Sequence, residues 1–402
     1  MRIEGSFFSN RANFAHSRLG MFEPVIDPSG IAHPVGEAHR LASHWSNLMK
    51  TGRSLISLAH ELQRQLSGKR DMIVPSTMMC CHTDESGKCT MVIDEPGGVG
   101  KYDITDLARH QLADKLKIPF AYFERMREDQ PGLLDRNVNT WLQSDSERRM
   151  IRTLDGQVRA VLSDRYRRLD NYDLAENVLP ILRKLQDVRF ESVELTETKM
   201  YIKVVTPRIQ YEMAPGDVVQ AGIVITNSEV GHGTLSVQPL VFRLICSNGL
   251  IASDHGLRKT HIGRTLQSEE EAITLFRDDT LAADDTAFFL KVRDVVEAAV
   301  SEANFYQVAQ KMQRTLGIKL TGDPVKTVQV LANRYTLNET ERAGVLRHLI
   351  VEGDLSGYGL VNAVTHYSQD VEDYDRATEF EALGGKLIDL AASEWKGLAE
   401  AM

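Results

Sequence analysis

Two hydrophobic periodicities alternate along the chain. "SLISLAHELQRQL" (54–66) places its leucines and Ile56 at helical spacing. "STMMCCHT" and "KCTMVID" then alternate at period two around the polar "DESG" and predict a β-hairpin. Within "DITDLARHQLADKLKIP", a stripe of Leu107, Ala108, Leu112 and Leu116 predicts a helix. Thr105 or Asp103 can cap it, and Pro119 stops it or starts the next element. "PFAYFERM" and "PGLLDRNVNTWLQ" read as short helices. Near residue 146 the pattern turns to strands, and "RRMIRTLDGQVRAVLS" predicts a hairpin turning at Asp155-Gly156. "DRYRRLDNYDLAENVLPILRKLQ" begins irregular and becomes a helix capped near Asp170 or Asn171, with a kink or division expected at Pro180. Strands follow in "RFESVEL", "KMYIKVVTP", "AGIVITN" and "GTLSVQPLVFRLIC", with a bulge or sheet edge expected at Pro239. From about 282 onward helical periodicity dominates, closing in an amphipathic helix from about 376 to 400.

These elements predict an α+β fold, a central antiparallel sheet flanked by an α-rich N-terminal part and an α-helical C-terminal part. The divisions fall at 1–145, 146–280 and 281–402. Along "LVFRLIC", Leu240, Phe242, Leu244 and Cys246 share the face expected in the core, and Val241, Arg243 and Ile245 share the other. Asn248-Gly249 is the expected tight turn, after which a polar run carries Arg258, Lys259, His261 and Arg264 away from the sheet.

Composition narrows the class. Of 402 residues, 42% are hydrophobic and 26% charged, as in an ordinary globular chain. No apolar run approaches the roughly 20 residues of a membrane span, and the N-terminus lacks a signal-peptide block, so a cytoplasmic protein is expected. A net charge of −9 excludes a uniformly basic nucleic-acid binder. It leaves room for a local basic groove, because screening at physiological salt acts over about 8 Å. Cys80, Cys81, Cys89 and His82 crowd together, but adjacent cysteines on a strand point to opposite faces, so a hairpin is expected and no metal. Phosphate-loop, zinc-protease, nucleophile-elbow and dinucleotide signatures are all missing. No catalytic residue and no cofactor are expected. The carboxylates Asp370, Glu372, Asp373 and Asp375 offer a Mg2+ site only as a minor alternative to a solvated helix end.

The positive signal is arginine placement. Arg148, Arg149, Arg152 and Arg159 lie on the Asp-Gly hairpin, and Arg165, Arg167 and Arg168 follow, interleaved with Tyr166 and Tyr172. Guanidinium groups that hold phosphates beside rings that stack on bases suit a single-stranded nucleic acid. Ion pairing with Asp145, Glu147, Asp155, Asp164 and Asp170 explains the same residues equally well. Arg243, Arg258, Lys259, His261 and Arg264 complete the candidate phosphate-binding set.

"ITDLARHQLADKLKIPFAYFERM", "LLDRNVNTWL", "VRAVLSDRYRRLDNYDL", "RLICSNGL" and "GLVNAVTHY" occur in order between about 100 and 370. Together they resemble the phage/plasmid-like proteins, a domain of unknown function carried by bacteriophages, plasmids and genomic islands. The resemblance implies a mobile-element protein acting on nucleic acid or on host defences. A central helix followed by antiparallel strands is also similar, at the level of fold, to Rad52-type single-strand annealing proteins. The expectation is a non-enzymatic, homo-oligomeric protein that binds single-stranded DNA in recombination. The alternative is an accessory protein that binds a host protein, and a metal-dependent nuclease ranks third.

Overall fold

The computed structural model describes residues 54–144, 147–166, 168–185, 187–252, 258–259, 278–299 and 302–401; at 258–259, 278–285 and 297–299 it describes the backbone alone. Helix α1 (Leu55–Gly68) starts at Ser54, whose hydroxyl accepts the Ser57 amide at 3.0 Å, and buries Leu58 and Leu62. It leads into β1 (Lys69–Pro75). Strands β2 (Met79–Thr83) and β3 (Cys89–Glu95) form the cysteine hairpin, turned by Asp84, whose carboxylate accepts the Ser86 and Lys88 amides at 2.9 and 3.0 Å. Strand alternation buries Cys81 and Cys89 and exposes Cys80.

Strand β4 (Gly98–Ile104) precedes α2 (Asp106–Lys115). Thr105, not Asp103, caps this helix, accepting the Ala108 amide at 3.3 Å. Helices α3 (Phe120–Asp129) and α4 (Pro131–Ser144) lay Phe123, Leu134, Val138 and Leu142 on a core shared with Met91, Ile93, Ile151 and Val161. Strands β5 (Arg148–Leu154) and β6 (Gln157–Ser163) turn through Asp155 (φ 51°) and Gly156 (φ 78°), the positive-φ pair that a two-residue hairpin needs.

These six strands form one mixed sheet in the order β1-β5-β6-β4-β3-β2, and β4 runs parallel to β6. This corrects the expectation of an all-antiparallel centre beside an α-rich N-terminal part. The Asp-Gly hairpin is built into a sheet with strands from before residue 145. Lys69–Pro75 has no alternating burial to announce it, and β4 opens with the glycine-rich "GVG".

Helix α5 (Asn171–Lys184) runs through Pro180 without dividing. A second sheet follows as the antiparallel meander β7 (Arg189–Leu195), β8 (Met200–Ala214), β9 (Asp217–Asn227), β10 (Leu235–Arg243) and β11 (Asn248–Ile251). A two-residue strand, β12 (Arg258–Lys259), pairs with Ser236 and Leu235 of β10. Pro239 makes no bulge with β9. Its carbonyl accepts the Ala252 amide, so the N–H it lacks would face the side where β12 stops and β11 begins.

Leu240 and Phe242 are buried as expected, but so is Val241 on the opposite face. Leu244 is 39% exposed, against expectation, because the strand ends at Arg243. The turn spans 244–247, with Ser247 at φ 49°, and Asn248 already pairs with Arg243. Asn248-Gly249 thus opens the next strand instead of making the turn.

The C-terminal helices are α6 (Asp278–Ala299), α7 (Glu302–Leu316), α8 (Pro324–Tyr335), α9 (Glu339–Glu352), α10 (Gly357–Tyr367), α11 (Tyr374–Ile388) and α12 (Ala392–Ala399). The single closing helix read from the sequence is two, parted after Ile388. Asn338 and Glu341 start α9 with a reciprocal capping box. Helix α10 is buried along nearly its whole length, and α11 approaches β11 so closely that a Cβ at Gly385 would meet the Ile251 carbonyl oxygen. Leu331, Val345, Leu349, Val361, Phe380 and Leu387 pack with Val219, Val241 and Leu250 into the largest core. Among the described residues no helix is long and apolar enough to cross a membrane.

Candidate functional site

The arginines of β5 and β6 divide by pairing. Arg152 stands opposite Asp71 in the β1–β5 register and is 0% exposed. Its Nε and Nη2 donate to the two Asp71 oxygens at 2.9 and 3.0 Å. Nη2 also reaches Asp170 at 2.5 Å, and Nη1 donates to the Glu229 carbonyl at 2.8 Å. A β-bulge pairs Arg152 with Ala160 and Thr153 with Val158, leaving Arg159 unopposed. Arg159 Nη2 lies 2.7 Å from Glu229 Oε2, while Lys69 Nζ and the Asn171 amide each donate to Glu229 Oε1 at 2.6 Å. Burial opposes ionisation of Glu229, but Arg159, Lys69 and Arg152 outweigh it and hold its carboxyl down at about 2. Burial likewise opposes the Arg152 charge, and Asp170 and Asp71 reverse that, leaving its pKa above the ordinary arginine value.

Lys69, Arg152 and Arg159 thus face Asp71, Asp170 and Glu229 in one largely buried cluster. It ties the first sheet to the β9–β10 loop and to the start of α5. These arginines serve the ion-pairing alternative and are not available to a phosphate. Arg149 pairs with Glu147, and the Tyr166 hydroxyl donates to the Ser228 carbonyl at 3.0 Å. A polar cleft of about 280 Å³ opens beside the cluster. Its wall mixes Arg159 and Lys199 with Asp155, Glu197 and Glu229, so it adds no basic surface.

What stays exposed is smaller. Arg148 and Arg165 are exposed without a carboxylate partner among the described residues, and Arg168 is 59% exposed with Asp71 only at 3.6 Å. Because Arg149 stands opposite Ser163, Arg148 and Arg165 flank the same open end of the hairpin, away from its turn. The end of β9 docks against the adjoining segment, where Asn227 Nδ2 donates to the Leu169 carbonyl at 2.9 Å. Next to β9 runs β10, and β12 lies on its far side. The backbone of Arg258–Lys259 is therefore two strand spacings, about 10 Å, from that end of β9. Arg167, His261 and Arg264 lie outside the described residues, as do the side chains of Arg258 and Lys259.

Arg243 belongs elsewhere. It sits at the opposite end of β10 from β12, about 27 Å away at strand rise. Its guanidinium forms a two-point fork with Asp217 (2.8 and 2.9 Å) and packs over the Tyr358 ring. Nη1 lies 3.3 Å from Cys246 Sγ and 3.5 Å from Glu352 Oε2. Glu352 Oε1 lies 2.7 Å from His366 Nδ1, and His348 pairs with Asp370, also at 2.7 Å. The two imidazoles lie against each other at a tilt of 37°, with centroids 4.2 Å apart. Burial pushes the Cys246 thiol up, with Arg243 pulling the other way.

Three of the four carboxylates near 370 are engaged individually, and Glu372 is exposed. Asp370 pairs with Arg347 and His348, Asp373 caps α11, and Asp375 accepts from the Thr196 and Thr198 hydroxyls. They converge on no common point that would hold Mg2+.

Residues 158–383 match the model of a domain of unknown function, DUF932. The chain belongs to that family. No curated protein and no solved structure matches it. The DUF932 span runs from β6 into α11 and takes in Arg159, Glu229, Arg243, Cys246, Glu352 and His366. It begins after β1 and β5, so Lys69, Asp71 and Arg152 complete the buried cluster from outside it. The cysteine–histidine group within the DUF932 span escaped the sequence reading, where Cys246 stood alone and no histidine spacing stood out. One signal was present. "HLIVE" (348–352) and "HYSQD" (366–370) each set a histidine four residues before a carboxylate, and α9 and α10 exchange these partners.

Proposed function

We propose that this DUF932 protein binds single-stranded nucleic acid without catalysing a reaction on it. The phosphate-contacting surface would lie at the open end of the β5–β6 hairpin. One observation carries the reading: Arg148 and Arg165 remain exposed at the open end of the hairpin, and β12 lies about two strand spacings from the end of β9 that docks on the adjoining segment. Arginines presented at the end of a β-hairpin can hold a backbone while leaving bases uncovered. The resemblance to phage- and plasmid-borne proteins adds a setting, DNA recombination on a mobile element, with annealing by a homo-oligomer as the specific form.

The net charge of −9, the burial of Arg152 and the pairing of Arg159 with Glu229 favour a second reading, an accessory protein that docks on a host protein. Fluorescence anisotropy with labelled single-stranded and duplex oligonucleotides at low salt, run alongside light scattering, decides between them. Single-strand binding by an oligomer supports the first reading. Absence of binding to either form leaves the protein partner.

A further inference from the structure

The turn after β10 and the helices α9 and α10 bring three unlike donors together. Cys246 Sγ, a Glu352 carboxylate oxygen and a His366 ring nitrogen all lie within 4.8 Å of one another. We propose that these residues form a zinc site, one that ties the second sheet to the helical C-terminal part.

Donor chemistry selects the ion. A thiolate, an imidazole and a carboxylate together suit Zn2+, whereas Mg2+ and Ca2+ take oxygen ligands. Charge agrees. Arg243 is the cation nearest the group, but its fork with Asp217 already neutralises it, and the Tyr358 hydroxyl donates to the same carboxylate at 2.8 Å. That leaves one thiolate and one carboxylate to balance a divalent ion. On binding, zinc replaces the thiol proton, which leaves to solvent. Two metal bonds replace the His366–Glu352 hydrogen bond, and the proton that Nδ1 donates in it moves through solvent to Nε2, which does not bind.

The surroundings are those of a supported ligand set. Arg243 Nη1, 3.3 Å from Cys246 Sγ, is placed to donate to a coordinated thiolate. His348, held by Asp370, backs the His366 ring. Helix α10 is buried along nearly all its length, which fixes the position of His366. Glu352 and His366 keep 18% and 28% of their side-chain exposure, so an ion can enter from solvent. Three protein donors leave a fourth position for water.

The test uses full-length protein stripped with a chelator and titrated with Co2+, a spectroscopic stand-in for zinc. One Co2+ per chain should bind, with visible ligand-field bands and a near-ultraviolet thiolate-to-cobalt band, and Zn2+ should displace it. Cys246→Ser should lose the thiolate band. Glu352→Gln should weaken binding by about tenfold or more, in line with losses seen when metal-site partners are removed. Cys80→Ser with Cys89→Ser should keep both bands, which separates this site from the cysteine hairpin. Wild-type protein that takes up no cobalt or zinc overturns the proposal. So does a thiolate band that survives Cys246→Ser or disappears with the hairpin cysteines. Should Cys246→Ser fail to fold, the band in wild type, its retention in the hairpin variant and its weakening in Glu352→Gln still decide the matter.

Discussion

The molecule holds two clusters of charge, built on opposite principles. Around Glu229 three cations meet three carboxylates, with Arg152 and Glu229 almost wholly out of solvent. Around Glu352 the groups are partly exposed and change character with their environment: a thiol, two imidazoles and carboxylates beside Arg243 and Arg347. A buried ion pair of the first kind contributes little net stability against an apolar replacement, but breaking one partner is costly. The first cluster therefore acts as a clamp that fixes how the sheets and α5 meet. The second is open to a ligand. Arginine content alone does not separate the two; the partner carboxylates do.

The largest effect should come from breaking the clamp. Arg152→Ala leaves Asp71 and Asp170 facing each other without their shared cation, and urea denaturation should show a loss of about 3–5 kcal/mol. A loss below about 1 kcal/mol would mean that the cluster is open to water. Phe242→Ala, on the strand that joins the two regions, should cost a comparable 3–5 kcal/mol or so. Leu244→Ala, just past the strand end, should cost less than about 1 kcal/mol, as surface substitutions do. Equal losses would put Leu244 back in the core.

A smaller effect concerns pH. Folded Glu229 stays ionised down to about 2, whereas the unfolded side chain takes up its proton near 4.5. Its contribution is complete above about 4.5 and is lost as pH falls from there towards 2. Glu229→Gln should therefore flatten the acid limb of the stability curve across that window, whatever it does to stability at neutral pH. An unchanged acid slope would place the acid sensitivity in other carboxylates.

Much of this architecture was legible where the signal is local. The Asp-Gly hairpin, the cysteine hairpin and most of the C-terminal helices follow from spacing over a few residues, although the last helix read as one is two. Strand β1 was not, since "KRDMIVP" becomes a strand only by pairing with β5. Pairing across the chain explains the misplaced arginines as well. Asp71 lies 81 positions from Arg152, and Glu229 lies 77 positions beyond it, so no local window contains the clamp. Of the carboxylates that the sequence offered as partners, Asp170 does pair with Arg152, and Glu147 with Arg149. Cys246, Glu352 and His366 are separated in the same way and meet only because α9 and α10 pack beside the end of β10.

The division between clamp arginines and exposed arginines is tested most directly by the salt dependence of single-strand binding for wild type and for Arg148→Ala with Arg165→Ala. Removing one phosphate-binding arginine should flatten the slope of log affinity against log salt by about 0.7, so the pair should remove about 1.4. Affinity should fall for all sequences alike, and the melting temperature should barely move. Wild-type affinity with an unchanged slope in the double variant would contradict the account, because the exposed hairpin end would then not be the surface that holds phosphates.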